Sequence, residues 1–114
     1  MPLTTGNLLL DALSPDLRTT IMQLCRTVDL PVRTMLHEQG TAPAYAYFLC
    51  SGIASVVVSM AEGGSAEVGL IGREGLVGAM QLPGSTTTPS QAFLQMEETV
   101  LRIRMEELRT MFAA

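Results

Sequence analysis

The sequence predicts a mainly β domain with flanking helices: an antiparallel β-roll or jelly-roll barrel of about eight strands. Three observations predict it. Apolar residues alternate with polar ones in several short runs, turn residues interrupt those runs at regular spacing, and helix-start chemistry appears only near the two ends.

The first helix is signalled by Ser14-Pro15-Asp16. Ser14 can cap orphan backbone N–H groups, Pro15 suits the first helical turn, and Asp16 favours the positive end of the dipole. Leu17, Ile21, Leu24 and Cys25 then recur at helical spacing as one apolar stripe. The helix ends near Arg26, because Asp29-Leu30-Pro31 reads as extended chain before a proline.

From there the pattern is that of strands. Residues 34–37 precede a turn at Glu38-Gln39-Gly40, and residues 44–51 are a β-rich run closed by Ser51-Gly52. Residues 53–60 put Ala54, Val56, Val58 and Met60 on an apolar face and Ile53, Ser55, Val57 and Ser59 on a mixed one. Gly63-Gly64 makes a hairpin turn, after which residues 66–71 return with Ala66, Val68 and Leu70 alternating. Two further strands span 90–96 and 99–104, and in the second Leu101 and Ile103 face inward while Arg102 and Arg104 face out. Residues 105–112 close the chain as a short helix with Glu106 and Glu107 in its first turn. The expected inward set is Val56, Val58, Val68, Leu70, Leu101 and Ile103. There is no internal repeat, and the Gly/Ser/Thr/Pro-rich stretch 83–90 reads as a loop.

At 114 residues the chain is one domain, with 47% hydrophobic and 16% charged residues. No run approaches the roughly 18 apolar residues of a membrane span, and the apolar start Leu8–Leu10 stops at Asp11, which argues against a secretory signal. The expected location is the cytoplasm, with no membrane partner. All seven basic residues are arginines, scattered along a chain of net charge −4. Gripping nucleic-acid phosphates needs a cluster of such charges, so the chain is not expected to bind DNA by itself.

Chemistry-bearing residues are sparse. Cys25 and Cys50 are the only thiols and lie in apolar runs, which reads as two core cysteines in a reducing compartment. A thiolate-held iron–sulfur cluster takes four cysteines as a rule. His37 is the single histidine and sits beside a turn, which reads as a surface or structural position. One histidine supplies neither a cupin-type metal site nor a nucleophile–base pair. Glu97-Glu98 and Glu106-Glu107 read as solvated pairs at a turn and a helix start. The chain is therefore expected to be no enzyme and to carry no cofactor. The eight methionines read mostly as core filler, with Met96, Met105 and Met111 as candidates for a face meeting a second subunit.

Four stretches, in order, resemble the N-terminal cyclic-nucleotide-binding-like domain of CRP/FNR-type transcription regulators. Residues 7–30 are similar to its opening helices, including Leu9, Leu10 and Leu13. Residues 33–40 resemble the first strand pair, with its glycine before the next strand, and residues 47–59 the strand, Ser-Gly turn and strand that follow. Residues 67–78, Glu-Val-Gly-Leu-Ile-Gly-Arg-Glu-Gly-Leu-Val-Gly, resemble the approach to the ligand loop. Independently of the resemblance, glycines at 69, 72, 75 and 78 permit tight turns that could cradle a phosphate through bare N–H groups, or serve only as corners of a roll.

The resemblance implies a phosphate-binding cassette in which a glutamate holds the ribose hydroxyl and an arginine neutralises the cyclic phosphate. Matching Leu76-Val77-Gly78 to the cassette entry places Ala79 at the glutamate, and matching residues 91–94 to the exit strand places Ser90 at the arginine. An alternative register from Gly72 offers Arg73, which is no acid either, and no arginine lies between Arg73 and Arg102. Losing two charge-assisted hydrogen bonds weakens binding by roughly 3–6 kcal/mol, or about two to four decades. The expected site is thus a degenerate cassette of Gly78, Ala79, Met80, Leu82, Ser90 and Gln91, apolar or neutral, that does not bind cyclic AMP in the usual way.

The expected function is that of a sensor module of a transcription regulator. The resemblance implies a homodimer, a small-molecule effector, and DNA contacts made only through a C-terminal helix-turn-helix domain. That domain and the dimerisation helix before it are absent from these 114 residues, which are expected to be a part of a longer protein. Apolar contacts through Met105, Leu108 and Phe112 are expected to drive self-association. The alternative is a stand-alone module that binds a small molecule through backbone N–H groups of residues 75–84.

Overall fold

Why helices and strands alternate where they do is visible in the computed structural model, which describes residues 5–78 and 88–112. Helix α1 (Leu8–Asp11) starts at Asn7, whose side chain accepts from the Leu10 N–H. Helix α2 (Pro15–Leu24) starts at Ser14, whose hydroxyl accepts from the Leu17 N–H with Pro15 in the first turn, as the sequence predicts. It ends at Leu24, two residues before the expected end, because the chain turns directly into strand β1 (Arg26–Leu30).

The remaining strands are β2 (Met35–His37), β3 (Tyr45–Leu49), β4 (Ala54–Ser59), β5 (Ser65–Ile71), β6 (Leu76–Val77), β7 (Gln91–Leu94) and β8 (Glu98–Arg104), before helix α3 (Met105–Phe112). They form two antiparallel four-stranded sheets, ordered β1-β8-β3-β6 and β2-β7-β4-β5. The architecture is a β-roll whose sheets do not close into a barrel.

The first sheet is covered on both faces. On one side Leu10 and Ile21 of the N-terminal helices and Met105 and Leu108 of α3 pack with Ala46, Phe48, Leu101 and Ile103. On the other, Tyr47, Leu49, Val77 and Val100 meet Leu36, Ala54, Ala92 and Leu94 of the second sheet. The layers are therefore helices, sheet, sheet. Met105 and Leu108 are consumed by this packing and are not available as the expected self-association contacts. Of the late methionines, only Met96 is exposed, and Met111 packs against the helix-side core.

The expected inward set divides. Leu101 and Ile103 are buried, and Val56 packs partly against the inter-sheet core. Val68 and Leu70 are not inward: they are 60% and 54% exposed. β5 is the edge of the second sheet, paired only with β4, and its register slips at Val68, so that Val56 faces Gly69 while Val57 faces Glu67. The bulge breaks the alternation of this edge strand at Val68, and Leu70 pairs with Ser55, on the face opposite the one Val56 turns toward the first sheet.

Candidate functional site

A cavity of about 510 Å³ opens where β5, the turn after it, β6 and the start of β7 converge. Val56 and Val58 of β4 and the exposed Val68 and Leu70 of β5 contribute to its wall, with Leu76 and Val77 of β6 completing the apolar surface. Larger in volume, about 600 Å³, is a hollow at the base of α3 around Tyr45 and Arg109, but it is more open and shares none of the predicted site residues.

Of the six predicted site residues, the structure brings Gly78 and Ser90 to the cavity wall. Gly78 has φ +109, and a Cβ there would stand 2.9 Å from the Tyr45 carbonyl oxygen, so no other residue passes this point unstrained. Gln91 does not line the cavity: it pairs with Val57, and its neighbour Ala92 takes the inter-sheet side, which leaves Gln91 on the opposite face. Ala79, Met80 and Leu82 lie outside the described residues, as do residues 83–87 of the expected loop.

The turn before β6 is held from below. Asn7 is fully buried and donates to the Leu49 carbonyl at 2.7 Å and to the Gly75 carbonyl at 2.9 Å, while the Leu8 N–H donates to the Arg73 carbonyl at 2.7 Å. The N-terminal segment therefore fixes the rim of the cavity. The glycines of this turn do not present free donors. The Gly72 N–H donates to Glu74 Oε1 at 3.0 Å, the Gly75 N–H donates to the Gly72 carbonyl, and Gly69 sits within β5.

The electrostatics of the wall follow from its residues. Its acidic member, Glu74, is exposed, and the Gly72 and Glu74 N–H groups hold its carboxyl below the usual range. None of the described lining residues is a lysine or arginine. His37, at the end of β2, is also part of the wall, and neither ring nitrogen has a hydrogen-bond partner among the described residues. Burial pushes its pKa down, opposed in part by the nearby Ser90 backbone. The sequence reading of His37 as a surface or structural position did not place it at this cavity, and no periodicity marks it, since the β2–β7 register shifts between Met35 and His37.

Glu98 corrects a second expectation. It is not solvated: 5% of it is exposed and neither carboxylate oxygen has a hydrogen-bond partner among the described residues. Burial pushes its carboxyl up to about 7, opposed only weakly by the nearby Ile53 backbone. The carboxylate fills the space over Gly52 (φ +69), where a Cβ would collide with it. Glu97 is exposed as expected.

Cys25 and Cys50 are free and half-buried against the helix-side core. Burial raises both thiols, Cys25 to about 11, which keeps them protonated and poorly nucleophilic. The arginines are less scattered in space than in sequence. Arg26 and Arg102 are cross-strand partners, and with Arg104 they border a cleft of about 370 Å³ in which Arg102 stacks 4.3 Å over Tyr45. No group of three or more potential metal ligands occurs among the described residues, and no described helix is long and apolar enough to cross a membrane.

Residues 27–114 match the cyclic nucleotide-binding domain family. The chain belongs to that family. Among solved structures, the catabolite activator protein of Thermus thermophilus is similar to this cyclic nucleotide-binding domain with a TM-score of 0.73 and 19% identity, over 90% of this chain and 48% of that one. The chain thus spans about half the length of that relative. The N-terminal domain of a transcriptional regulator from Streptomyces coelicolor A3(2) is similar with a TM-score of 0.72 and 17% identity, covering 91% of this chain and 73% of that one. The sensor domain of the transcriptional regulator DNR from Pseudomonas aeruginosa gives 0.71 and 18%, with 84% and 65% covered. No curated protein sequence matches the chain. At these identities the solved structures establish the shared β-roll, and the domain-level resemblance read from the four sequence stretches holds.

Proposed function

We propose that this cyclic nucleotide-binding domain is the sensing half of a CRP/FNR-type transcription regulator whose cavity no longer accepts cyclic nucleotides in the usual way. The observation that carries the reading is the cavity wall at Gly78 and Ser90: apolar side chains surround it, its acidic residue is Glu74, and no arginine or lysine occurs anywhere from 74 to 101. A cyclic phosphate entering it would lose water without meeting a cation. The likeness to N-terminal and sensor domains of transcription regulators supports the regulatory role. In this reading the protein is cytoplasmic, works as a homodimer, and contacts DNA through a part outside these residues. An uncharged effector shifts it between states. A stand-alone binding module is the alternative from a different class. It draws less support, because the Gly75 N–H of its loop is already paired with the Gly72 carbonyl.

Titration calorimetry with cyclic AMP and cyclic GMP tests the proposal. No binding is expected in the micromolar range, and a dissociation constant of roughly 1 μM or below overturns it. Restoring both anchors with Ala79→Glu and Ser90→Arg is expected to create measurable cyclic nucleotide binding in an otherwise intact cavity.

A further inference from the structure

We infer that the cleft bordered by Arg26, Arg102 and Arg104 is a separate binding site, for the phosphate group of a small molecule. It shares no lining residue with the cavity of about 510 Å³, so it stands or falls independently of what that cavity binds.

The chain carries a net charge of −4, yet three of its seven basic residues meet in this one cleft of about 370 Å³. Strand register puts them there. Arg26 of β1 stands directly opposite Arg102 of β8, and Arg104 follows two residues along β8, so all three belong to one face of the sheet. Like charges set directly across a ladder repel, and an antiparallel pair holds their Cα atoms only about 5 Å apart. Among the described residues none of the three is in an ion pair, and Glu107 is the one acid on the lining. The central arginine is also held in place. Its guanidinium lies 4.3 Å over the Tyr45 ring, and it acts on the Tyr47 hydroxyl, opposing the rise that burial imposes there. A guanidinium already fixed against aromatic side chains loses little further freedom when an anion arrives.

The same features select the ligand. Guanidinium forks match phosphate oxygens in bidentate pairs. A carboxylate brings one negative charge and leaves most of the repulsion among three cations in place, whereas a phosphate monoester or a pyrophosphate brings two or more. The cleft is on the scale of a small-molecule site, and three arginines are too few for the extended track that duplex DNA needs.

Titration calorimetry at low ionic strength with pyrophosphate, inorganic phosphate, phenyl phosphate and acetate tests the site. Pyrophosphate is expected to bind with a dissociation constant between about 10 μM and 1 mM, and acetate at least about 10-fold more weakly. Either order of phenyl phosphate and inorganic phosphate supports the site, and the order tells an ester from the free anion. Arg26→Gln and Arg102→Gln are each expected to weaken pyrophosphate by at least about 10-fold. Arg73→Gln removes the same charge from the turn after β5, outside the cleft, and is expected to change binding by less than about 2-fold. The chain has no tryptophan, and its two tyrosines both lie beside Arg102, so tyrosine emission of the unaltered protein reads the cleft even where a variant does not fold. The emission is expected to change saturably with pyrophosphate and not with sodium chloride of equal ionic strength. Equal losses in all three variants, or a chloride response of the same size, show bulk charge alone and overturn the site. So do pyrophosphate binding that leaves the emission unmoved and no binding at about 10 mM. Tighter binding of polyglutamate than of pyrophosphate overturns the small-molecule class in favour of an acidic protein.

Discussion

Strands β8 and β5 carry the same kind of apolar alternation, yet one is the centre of the domain and the other is its margin. In β8, Leu101 and Ile103 pack against the helices while Val100, on the opposite face, packs against the second sheet. β1 and β3 pair with its two edges, so every direction around β8 is occupied. In β5, Val68 and Leu70 stand mostly in solvent beside the cavity, because the strand is paired on one side and has no described element over it. Alternation reports which residues share a face. It does not report whether another layer covers that face, and here that difference separates core from cavity wall.

The largest test of the contrast is truncation in β8. Ile103→Ala removes a side chain that is 1% exposed and leaves a cavity between sheet and helices, so a loss of about 2–5 kcal/mol is expected by urea unfolding. A loss under about 1 kcal/mol would show that the helical layer is loosely packed and that β8 is less central than its pairing implies.

An intermediate effect is expected at the first residue of β8. Glu98 has a folded-state pKa of about 7, above its ordinary value of 4.5, because burial disfavours the charged form. The folded protein therefore holds a proton that the unfolded chain releases, and stability falls as pH rises from about 4.5 to about 7, then levels off. Glu98→Gln is expected to raise stability by about 1–2 kcal/mol at pH 8 and to flatten this pH dependence, with little gain at pH 4. Parallel thermal unfolding of both proteins across that range checks it. An unchanged slope would mean that the carboxyl reaches water in solution.

The smallest effect belongs to β5. Leu70→Thr is expected to change stability by less than about 0.5 kcal/mol, since the side chain is already more than half exposed. The same change removes apolar wall and should weaken binding of a small apolar probe such as naphthalene, read by titration. A large loss of stability with unchanged binding would reverse the assignment of β5 from wall to core.

The sequence by itself determined the local elements, because their causes are local. Ser14 and Pro15 start α2, Gly63-Gly64 turns β4 into β5, and period-two runs mark β4, β5 and β8. It also determined that no arginine lies between Arg73 and Arg102, which no fold can supply to that stretch. Tertiary structure alone decided which alternating residues are buried. Val100 and Glu98 share a face that reads as outward until the second sheet is laid over it, and Leu70 reads as inward until its pairing with Ser55 sets it on the face away from Val56. It alone decided that Asn7 reaches Leu49 and Gly75, distant in sequence, to brace the cavity rim. His37 became part of the cavity wall for the same reason: β2 is three residues long, shifts register against β7, and owes its surroundings to strands far along the chain. Burial is a property of the layers that assemble around a residue, and a chain read in order does not contain them.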